Sequence, residues 1–390
     1  MYNYNIYNKN IILIGLFKKK KYKNKSIDYL NELENLLKIF NSKIIKKFLQ
    51  KRFKPHNLTY VGKGFLDKIF FFIKKKKIKT VIFDDELSLS QIKNIEKKLK
   101  CFISDRTKLI LDIFTFKAKT YYSKIQVKLA QYEYLLPRLK HMWKHLKRQK
   151  GGIGLRGPGE KEIETDKRLI KKSIFFLKKK LKKVKNQILI QRKKRKDKIT
   201  ISLIGYTNVG KSTIISKLTN TNLVINNNFF TTLDTKVNYF FFKKKKFIII
   251  DTIGLIRKIP TQLIESFKST ILELKNSNII LYIIDITTNF LIDIFIYIIK
   301  FFFKLKIINK KIIIVFNKID KIKNFNIKYI NNIFLKNKYF FIKKKKIIFF
   351  YKKKKKIYIK KISYIFITTK KKKFIKKLKN KIYNEYIKKK

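Results

Sequence analysis

The string Gly205-Tyr206-Thr207-Asn208-Val209-Gly210-Lys211-Ser212 constrains the fold more than any other part of the chain, because of what flanks it. The apolar run Ile199 to Ile204 before it reads as a buried strand, and Ser212 to Leu218 after it opens a helix. A strand, a glycine loop and a helix in that order expose backbone N–H groups at a helix N-terminus, where the dipole favours anions. The spacing G-x-x-x-x-G-K-[ST] makes this a phosphate cradle, with Lys211 reaching the β- and γ-phosphates and the Ser212 hydroxyl ligating Mg²⁺. The fold class that follows is α/β, built around a mostly parallel sheet.

Two further motifs choose the nucleotide. Asp251-Thr252-Ile253-Gly254 follows the apolar run Phe247 to Ile250, which puts Asp251 at the carboxyl end of a strand. A carboxylate there holds the hydration shell of Mg²⁺, and the Gly254 N–H is placed to meet the γ-phosphate. Asn317-Lys318-Ile319-Asp320 follows the strand Lys311 to Phe316. A carboxylate at Asp320 accepts from both N1–H and the exocyclic amine of guanine, a pair of donors that adenine lacks. A site with such a carboxylate rejects the wrong base because its buried acceptor would be left unpaired. The substrate read from the chain is therefore GTP.

Between these motifs lies Phe230-Thr231-Thr232-Leu233-Asp234, where a switch loop needs a threonine to ligate Mg²⁺ and sense the γ-phosphate. Thr232 is chosen over Thr231; a plain polar connection is the other reading of this interval. Lys211, Thr232 and Gly254 are the expected catalytic groups, and Ser212 and Thr232 the metal ligands. Leu255 stands where many GTPases carry a glutamine that orients the attacking water, so intrinsic hydrolysis is expected to be slow. A partner, a monovalent cation such as K⁺, or a reordered loop must then accelerate it. Asn208 is either the ligand of such a cation or a turn residue.

The chain has 390 residues, enough for two or three domains with ample core. Its 99 Lys+Arg against 24 Asp+Glu give a net charge of +75, which ordinarily announces nucleic acid. Lysine, isoleucine, asparagine, phenylalanine and tyrosine dominate together, as an A/T-rich coding sequence would produce, so compositional drift competes with selection for RNA binding. Runs such as Lys243 to Lys246, Lys343 to Lys346 and Lys352 to Lys356 read as solvated hairpin tips and loops. One cysteine, Cys101, excludes a disulfide framework and suits a reducing cytoplasm. Ile279 to Phe303 is the most apolar stretch, but Asp285, Asp293 and Lys300 interrupt it, so it reads as a strand and a helix and no stable membrane insertion is expected. The N-terminus shows neither a signal-peptide nor a transit pattern.

Upstream, apolar residues fall at Ile125, Leu129, Tyr132, Leu136, Leu139, Trp143 and Leu146, and again at Ile170, Ile174, Leu177, Leu181, Val184 and Ile188. Steps alternating between four and three line one helix face. Two such helices joined by the glycine-rich segment Gly151 to Gly159 predict an antiparallel helical hairpin, with Pro137 kinking its first arm. The tip serves as a contact loop or a hinge. Glu160, Glu162, Glu164 and Asp166 follow at a helix start, where they either complement the dipole or meet basic partners. His141 and His145 have zinc-compatible spacing without a third ligand, and read as helix-surface residues. Residues 1 to about 119 predict a small α/β domain: strand Ile11 to Leu16, helix Ile27 to Phe40, strand Thr80 to Phe83, helix Ser90 to Leu99, strand Leu109 to Phe114. The expected domains are 1–120, 121–198 and 199–390.

Across nearly its whole length the chain resembles the HflX family of translation-associated GTPases. The residues that carry the likeness run from Gly151 to Glu160, Ile163 to Arg168, Gly205 to Thr213, Phe230 to Asp234 and Asp251 to Arg257, leading to Pro260. Val61 to Gly64, Asp84 to Gln91, Asp105 to Phe114 and Gln126 to Gln131 extend it upstream. The resemblance implies a P-loop G domain preceded by a small α/β domain and a helical hairpin, binding the large ribosomal subunit and its RNA. GTP hydrolysis stimulated there, and a part in splitting or rescuing stalled ribosomes, are implied with it. The ATP use associated with the family's N-terminal region is not carried over. Thr235 replaces the family's usual proline and Leu255 its usual phenylalanine. Ile367-Thr368-Thr369-Lys370 stands for the closing base-contact motif, with threonines in place of Ser-Ala. The interval from Asp320 to Ile367 is swollen by lysine-rich sequence, and one helix, Phe374 to Ile387, follows. A cytoplasmic monomer is expected. The competing reading is a basic RNA- or ribosome-binding protein whose G domain is catalytically passive.

Overall fold

A computed structural model describes residues 7, 10–139, 158–193, 198–220, 236–251, 254, 273–288, 291–305, 307, 309–322, 340–343, 346–353 and 356–387. Contacts divide the chain into two units, residues 1–188 with 257–266 and residues 189–256 with 267–390, the helix Pro158–Lys193 running past the first boundary.

In the first unit the order is β1 Asn10–Phe17, α1 Lys23–Leu37, β2 Lys43–Lys51, α2 Lys63–Lys76, β3 Thr80–Phe83, α3 Leu89–Leu99, β4 Phe102–Asp105, α4 Arg106–Lys117, α5 Tyr121–Leu135 and α6 Pro158–Lys193. The strands form a four-stranded parallel sheet in the order β2-β1-β3-β4. Parallel strands are linked through helices, so both sheet faces are covered, which is why Ile11 to Ile14 and Thr80 to Phe83 are buried without alternation. Ser88 and Gln91 form a reciprocal capping box at the start of α3.

The run Leu109 to Phe114, expected as a strand, is the buried middle of helix α4. A short apolar run buried on every side has no diagnostic period. What decides it is Asp105 at the end of β4, whose carboxylate accepts from Lys108 N (2.7 Å) and caps the helix. The same carboxylate accepts from Leu87 N (3.0 Å) and the Tyr134 hydroxyl (3.3 Å), so it ties β4, α4 and α5 together. Next to it, the buried Arg106 guanidinium meets Asp84 (2.7 Å) and Glu32 (2.9 Å). Strand β2 and helix α2 had no counterpart in the sequence reading. In β2 the apolar residues Ile44, Ile45, Phe48 and Leu49 are spaced as in a helix, and the strand is at the sheet's edge.

The hairpin seam forms as expected: Ile125, Leu129 and Tyr132 of α5 share a cluster with Ile174, Leu177 and Leu181 of α6, and Lys178 pairs with Glu133 at 2.8 Å. At Pro137 the α-helix gives way to a 3₁₀ turn, Leu136–Arg138. Helix α6 starts at Pro158, so the glycine-rich tip ends earlier than Gly159. Proline suits a first helical position, where its missing N–H has no intrahelical partner to lose. His141, His145 and Gly151 to Gly157 lie outside the described residues.

The second unit contains β5 Ile199–Gly205, α7 Lys211–Thr219, β6 Lys236–Phe242, β7 Lys245–Asp251, β8 Ile279–Asp285, α8 Leu291–Lys304, β9 Lys311–Asn317, β10 Phe340–Lys343, β11 Lys346–Lys353, β12 Lys356–Phe366 and α9 Lys372–Ile387. Its eight-stranded sheet has the order β10-β11-β12-β9-β8-β5-β7-β6. The five strands β12, β9, β8, β5 and β7 run parallel; β6 pairs antiparallel with β7 at one end, and β11 pairs antiparallel with β12 and β10 with β11 at the other. The lysine-rich interval after Asp320 therefore extends the sheet. Its lysine runs fall where hairpins turn, between the pairs Lys343↔Lys346 and Lys353↔Lys356, as Lys243 and Lys244 do between Phe242↔Lys245. Helices α7 and α9 supply Ile214, Ile215, Leu218, Ile375, Leu378 and Ile382 to the core over the central strands. Among the described residues no helix is long and apolar enough to cross a membrane, and no group of three or more His, Cys, Asp or Glu residues could hold a metal ion.

Replacing Asp105 by alanine leaves the Leu87 N–H, the Lys108 N–H and the Tyr134 hydroxyl without their buried acceptor. The expected cost is about 2–3 kcal/mol, and it should appear as an earlier transition of the first unit in urea, followed by amide exchange in α4.

Candidate functional site

The phosphate loop leaves β5 at Gly205 and enters α7 at Lys211. Two residues take left-handed backbone conformations, Asn208 at φ 62° and Gly210 at φ 93°. Asparagine tolerates this region, so the backbone of Asn208 fits its reading as a turn residue. At Gly210 a Cβ atom would come within 2.5 Å of Asn317 Nδ2, so both conformation and space require glycine.

That neighbour is structural as well. Asn317, buried at the end of β9, donates through Nδ2 to the Val209 carbonyl at 2.8 Å. Its Oδ1 is buried with no hydrogen-bond partner in the protein. Lys318, in the left-handed conformation, donates through Nζ to the Asn208 carbonyl at 2.7 Å and pairs with Asp285 at 2.6 Å. The base-reading motif is thus fastened to two consecutive carbonyls of the phosphate loop. Asp285 was passed over in the sequence as an interruption of an apolar run. The signal was its place at the carboxyl end of a strand, in register with Asn317.

Asp320 lies beside the closing segment. Thr368 donates to its Oδ1 at 2.7 Å, and Lys370 meets Oδ2 at 3.0 Å. The Thr368 hydrogen bond, then Lys370, hold this carboxyl below its usual range. Ile367 continues the end of β12: its N–H donates to the Phe316 carbonyl, and its carbonyl accepts from Ile319 N. A threonine hydroxyl therefore occupies the carboxylate's flank, and Lys370 joins the residues around Asp320.

At the phosphate end, Lys211 is buried and donates to the carbonyls of Gly205 (3.1 Å) and Tyr206 (2.8 Å). Burial pushes its ammonium down to about 8, with nearby Asp251 pulling the other way. Asp251 ends β7, buried, as its strand context predicted. A Cβ at Gly254 would press on Thr207 Cγ2 at 2.8 Å and Lys211 Nζ at 3.1 Å, so the backbone of Gly254 comes close to the loop where a side chain would be crowded. The donor set, a hydroxyl at Ser212, a carboxylate at Asp251 and a glycine-lined loop closed by an ammonium, fits a Mg²⁺–phosphate group. Phe230 to Asp234, Thr252, Ile253 and Leu255 lie outside the described residues.

Comparison with known proteins finds GTP-binding families along the chain. Residues 200–318 match the family described as 50S ribosome-binding GTPase, residues 27–115 the GTP-binding GTPase N-terminal family and residues 117–195 the GTP-binding GTPase Middle Region. The GTPase HflX of Flavobacterium psychrophilum is 43% identical over 316 residues, covering 81% of this chain and 76% of that protein. The GTPase HflX of Escherichia coli K12 is 38% identical over 264 residues, 67% of this chain and 62% of that one. A crystal structure described as SsGBP in complex with GDP aligns over 96% of this chain and 98% of its own with a TM-score of 0.50; at 23% identity it speaks for the fold alone.

Gly210→Ala should lower GTP affinity at least about tenfold in equilibrium titration, because the loop must abandon its left-handed turn or its bond to Asn317. An ammonium attracts phosphate and a neutral amine does not, so raising pH through about 8 would remove the phosphate-attracting form of Lys211. Between about pH 7 and about pH 9 GDP affinity should fall about tenfold more in the wild type than in Lys211→Met.

Proposed function

The chain belongs to the HflX family and is a GTPase, and from that premise we propose that it hydrolyses GTP when docked on the large ribosomal subunit, acting in ribosome splitting, rescue or translation regulation. The observation that carries the reading is the double fastening of Asn317 and Lys318 to the Val209 and Asn208 carbonyls. It couples guanine recognition to phosphate geometry in one rigid element.

In this reading Gly205 to Ser212 cradle the phosphates, and Asp320, backed by Ile367, Thr368 and Thr369, receives the guanine edge. Lys211 exchanges its two loop carbonyls for phosphate oxygens, so the loop gives up no hydrogen bond before the substrate supplies its own. Ser212, Asp251 and Thr232 would hold Mg²⁺, which when bound neutralises charge on the β- and γ-phosphates. Gly254 offers its N–H to the γ-phosphate. Leu255 brings no carboxamide to orient water, so the remaining catalytic element comes from the ribosome, with K⁺ at Asn208 as a further contributor.

The ribosome is favoured as partner by the family description of residues 200–318 and by the net charge of +75. The proposal includes a cytoplasmic monomer with domains at 1–120, 121–198 and 199–390.

GTP turnover by the purified chain at physiological salt should rise strongly on adding large ribosomal subunits, more in potassium than in sodium buffer. Lys211→Ala should abolish both the turnover and GTP-dependent association with the subunit. Association that survives that substitution would favour a passive G domain. Alanines at Gly151 to Gly154 should remove the ribosomal stimulation and leave GTP affinity intact, and a GTP-binding defect would remove the tip from that role.

A further inference from the structure

Strand β6 ends the eight-stranded sheet, and its two faces differ sharply. On the inward face Phe240 is buried and stacks on Phe247 at 5.1 Å, and Phe242 meets Tyr383 at 6.0 Å. On the outward face Val237, Tyr239 and Phe241 are 43%, 57% and 63% exposed. Core formation explains the first set and leaves the second unexplained. Three large apolar side chains at every second position of an edge strand form a continuous exposed stripe, a feature that marks interaction surfaces.

The charges beside the stripe choose the partner. Lys246 faces Phe241 across the β6–β7 hairpin, and its Nζ lies 4.3 Å from the Tyr239 ring centre and 5.6 Å from that of Phe241. The two rings meet edge to face at 6.0 Å. Lys243 and Lys244 turn the hairpin at the same end; Lys243 and Lys245 lie over Tyr383 and Tyr386 on the inward side, so Lys244 and Lys246 are the lysines of the run not engaged there, and no acid stands between Lys236 and Ile250. Side chains two apart on a strand are about 6.8 Å apart on one face, and alternate aromatic residues on a sheet are a recurrent platform for successive unpaired bases. Ring faces receive bases of any sequence while adjacent ammonium groups meet the phosphates. An acidic peptide would use the lysines and leave the rings without a role.

We propose that the outward face of β6, with Tyr239 and Phe241 as stacking rings and Lys246 and Lys244 as phosphate contacts, binds unpaired nucleotides of an RNA. Tyr239, Phe241, Lys244 and Lys246 are none of the residues assigned to the GTP site, and the proposal stands whether or not the ribosome reading does.

The test must separate stacking from the attraction that a net charge of +75 exerts on every polyanion. The full chain is titrated at fixed physiological salt with a fluorescent dodecamer of adenylate and with an abasic dodecamer of equal charge. Wild type should prefer the adenylate at least about tenfold, the range expected when bases stack on two rings. Tyr239→Ala with Phe241→Ala should erase that preference, keep the abasic affinity and keep the GTP affinity, which also reports an intact fold. Tyr239→Trp should preserve the preference, with its new fluorescence quenched by the adenylate and unchanged by the abasic oligomer. No preference in the wild type overturns the proposal. So does a preference that survives in the double alanine variant, because the stacking would then lie elsewhere and this stripe would be open to a protein partner.

Discussion

Asn317 and Lys318 brace the phosphate loop from behind, and the rest of the second unit is arranged so that they can. Strands β8 and β9 end in register, which sets Asp285 beside Asn317. Asp285 then fixes the Lys318 ammonium, and Lys318 and Asn317 take the carbonyls of Asn208 and Val209. Those carbonyls meet their donors where the loop turns through left-handed conformations at Asn208 and Gly210. Relaxing either turn would cost the braces, and removing the Asn317 brace would leave the buried Val209 carbonyl unpaired, at about 1–3 kcal/mol, while the exposed Asn208 carbonyl would turn to water. The geometry of the loop is therefore enforced by its surroundings and does not wait for a nucleotide.

Electrostatics follows from that enforcement. An ammonium buried with little compensation loses its proton more easily, and Lys211 shows this despite two carbonyl acceptors and the proximity of Asp251. Phosphate relieves the deficit, so substrate binding and protonation of Lys211 support one another. At the other end Asp320 is in the opposite situation: Thr368 and Lys370 stabilise its charge before any base arrives. Its carboxylate is kept ready as an acceptor, and Thr368 holds its orientation through a bond that leaves the other oxygen to a labile surface lysine.

What was legible in the sequence divides along physical lines. The strands that carry the motifs were readable because glycines, an aspartate or an Asn-Lys pair end their apolar runs, and these are local signals. The helical hairpin was readable because its period is long enough to be unmistakable over α5 and α6. The run Leu109 to Phe114 was misread because it is buried on every side, and only the contacts of Asp105 with Lys108 and Leu87 reveal its capped start. Strand β2 was missed for the reverse reason, since a half-exposed edge strand need not alternate. Asp285 was overlooked because its meaning lies in a neighbour on another strand, and no spacing along the chain encodes that. The roles of Thr368 and Lys370 also depend on a contact across some 50 residues of sequence, which the matching of a motif could suggest and only the fold can bring together.

The charge of the chain needs the same distinction between what composition supplies and what position demands. At the β6–β7 turn Lys243 and Lys244 occupy left-handed conformations, which tight hairpins normally give to asparagine and glycine. Lysine has no advantage there, so its presence points to a bias in the sequence that the fold tolerates at a solvated tip. A lysine run by itself is then poor testimony for a nucleic acid, and three such runs at three hairpin turns are no better. Tyr239 and Phe241 are a liability, because an edge strand that faces water loses by carrying exposed rings and risks pairing with other chains. Drift toward A/T-rich codons supplies phenylalanine, tyrosine, isoleucine and lysine alike, and the unbroken aromatic run Tyr239 to Phe242 puts rings on both faces of the strand, so the rings by themselves are no better testimony than the lysines. What composition does not supply is the placement of Lys246 over both outward rings, and position is where selection for a ligand would have to act.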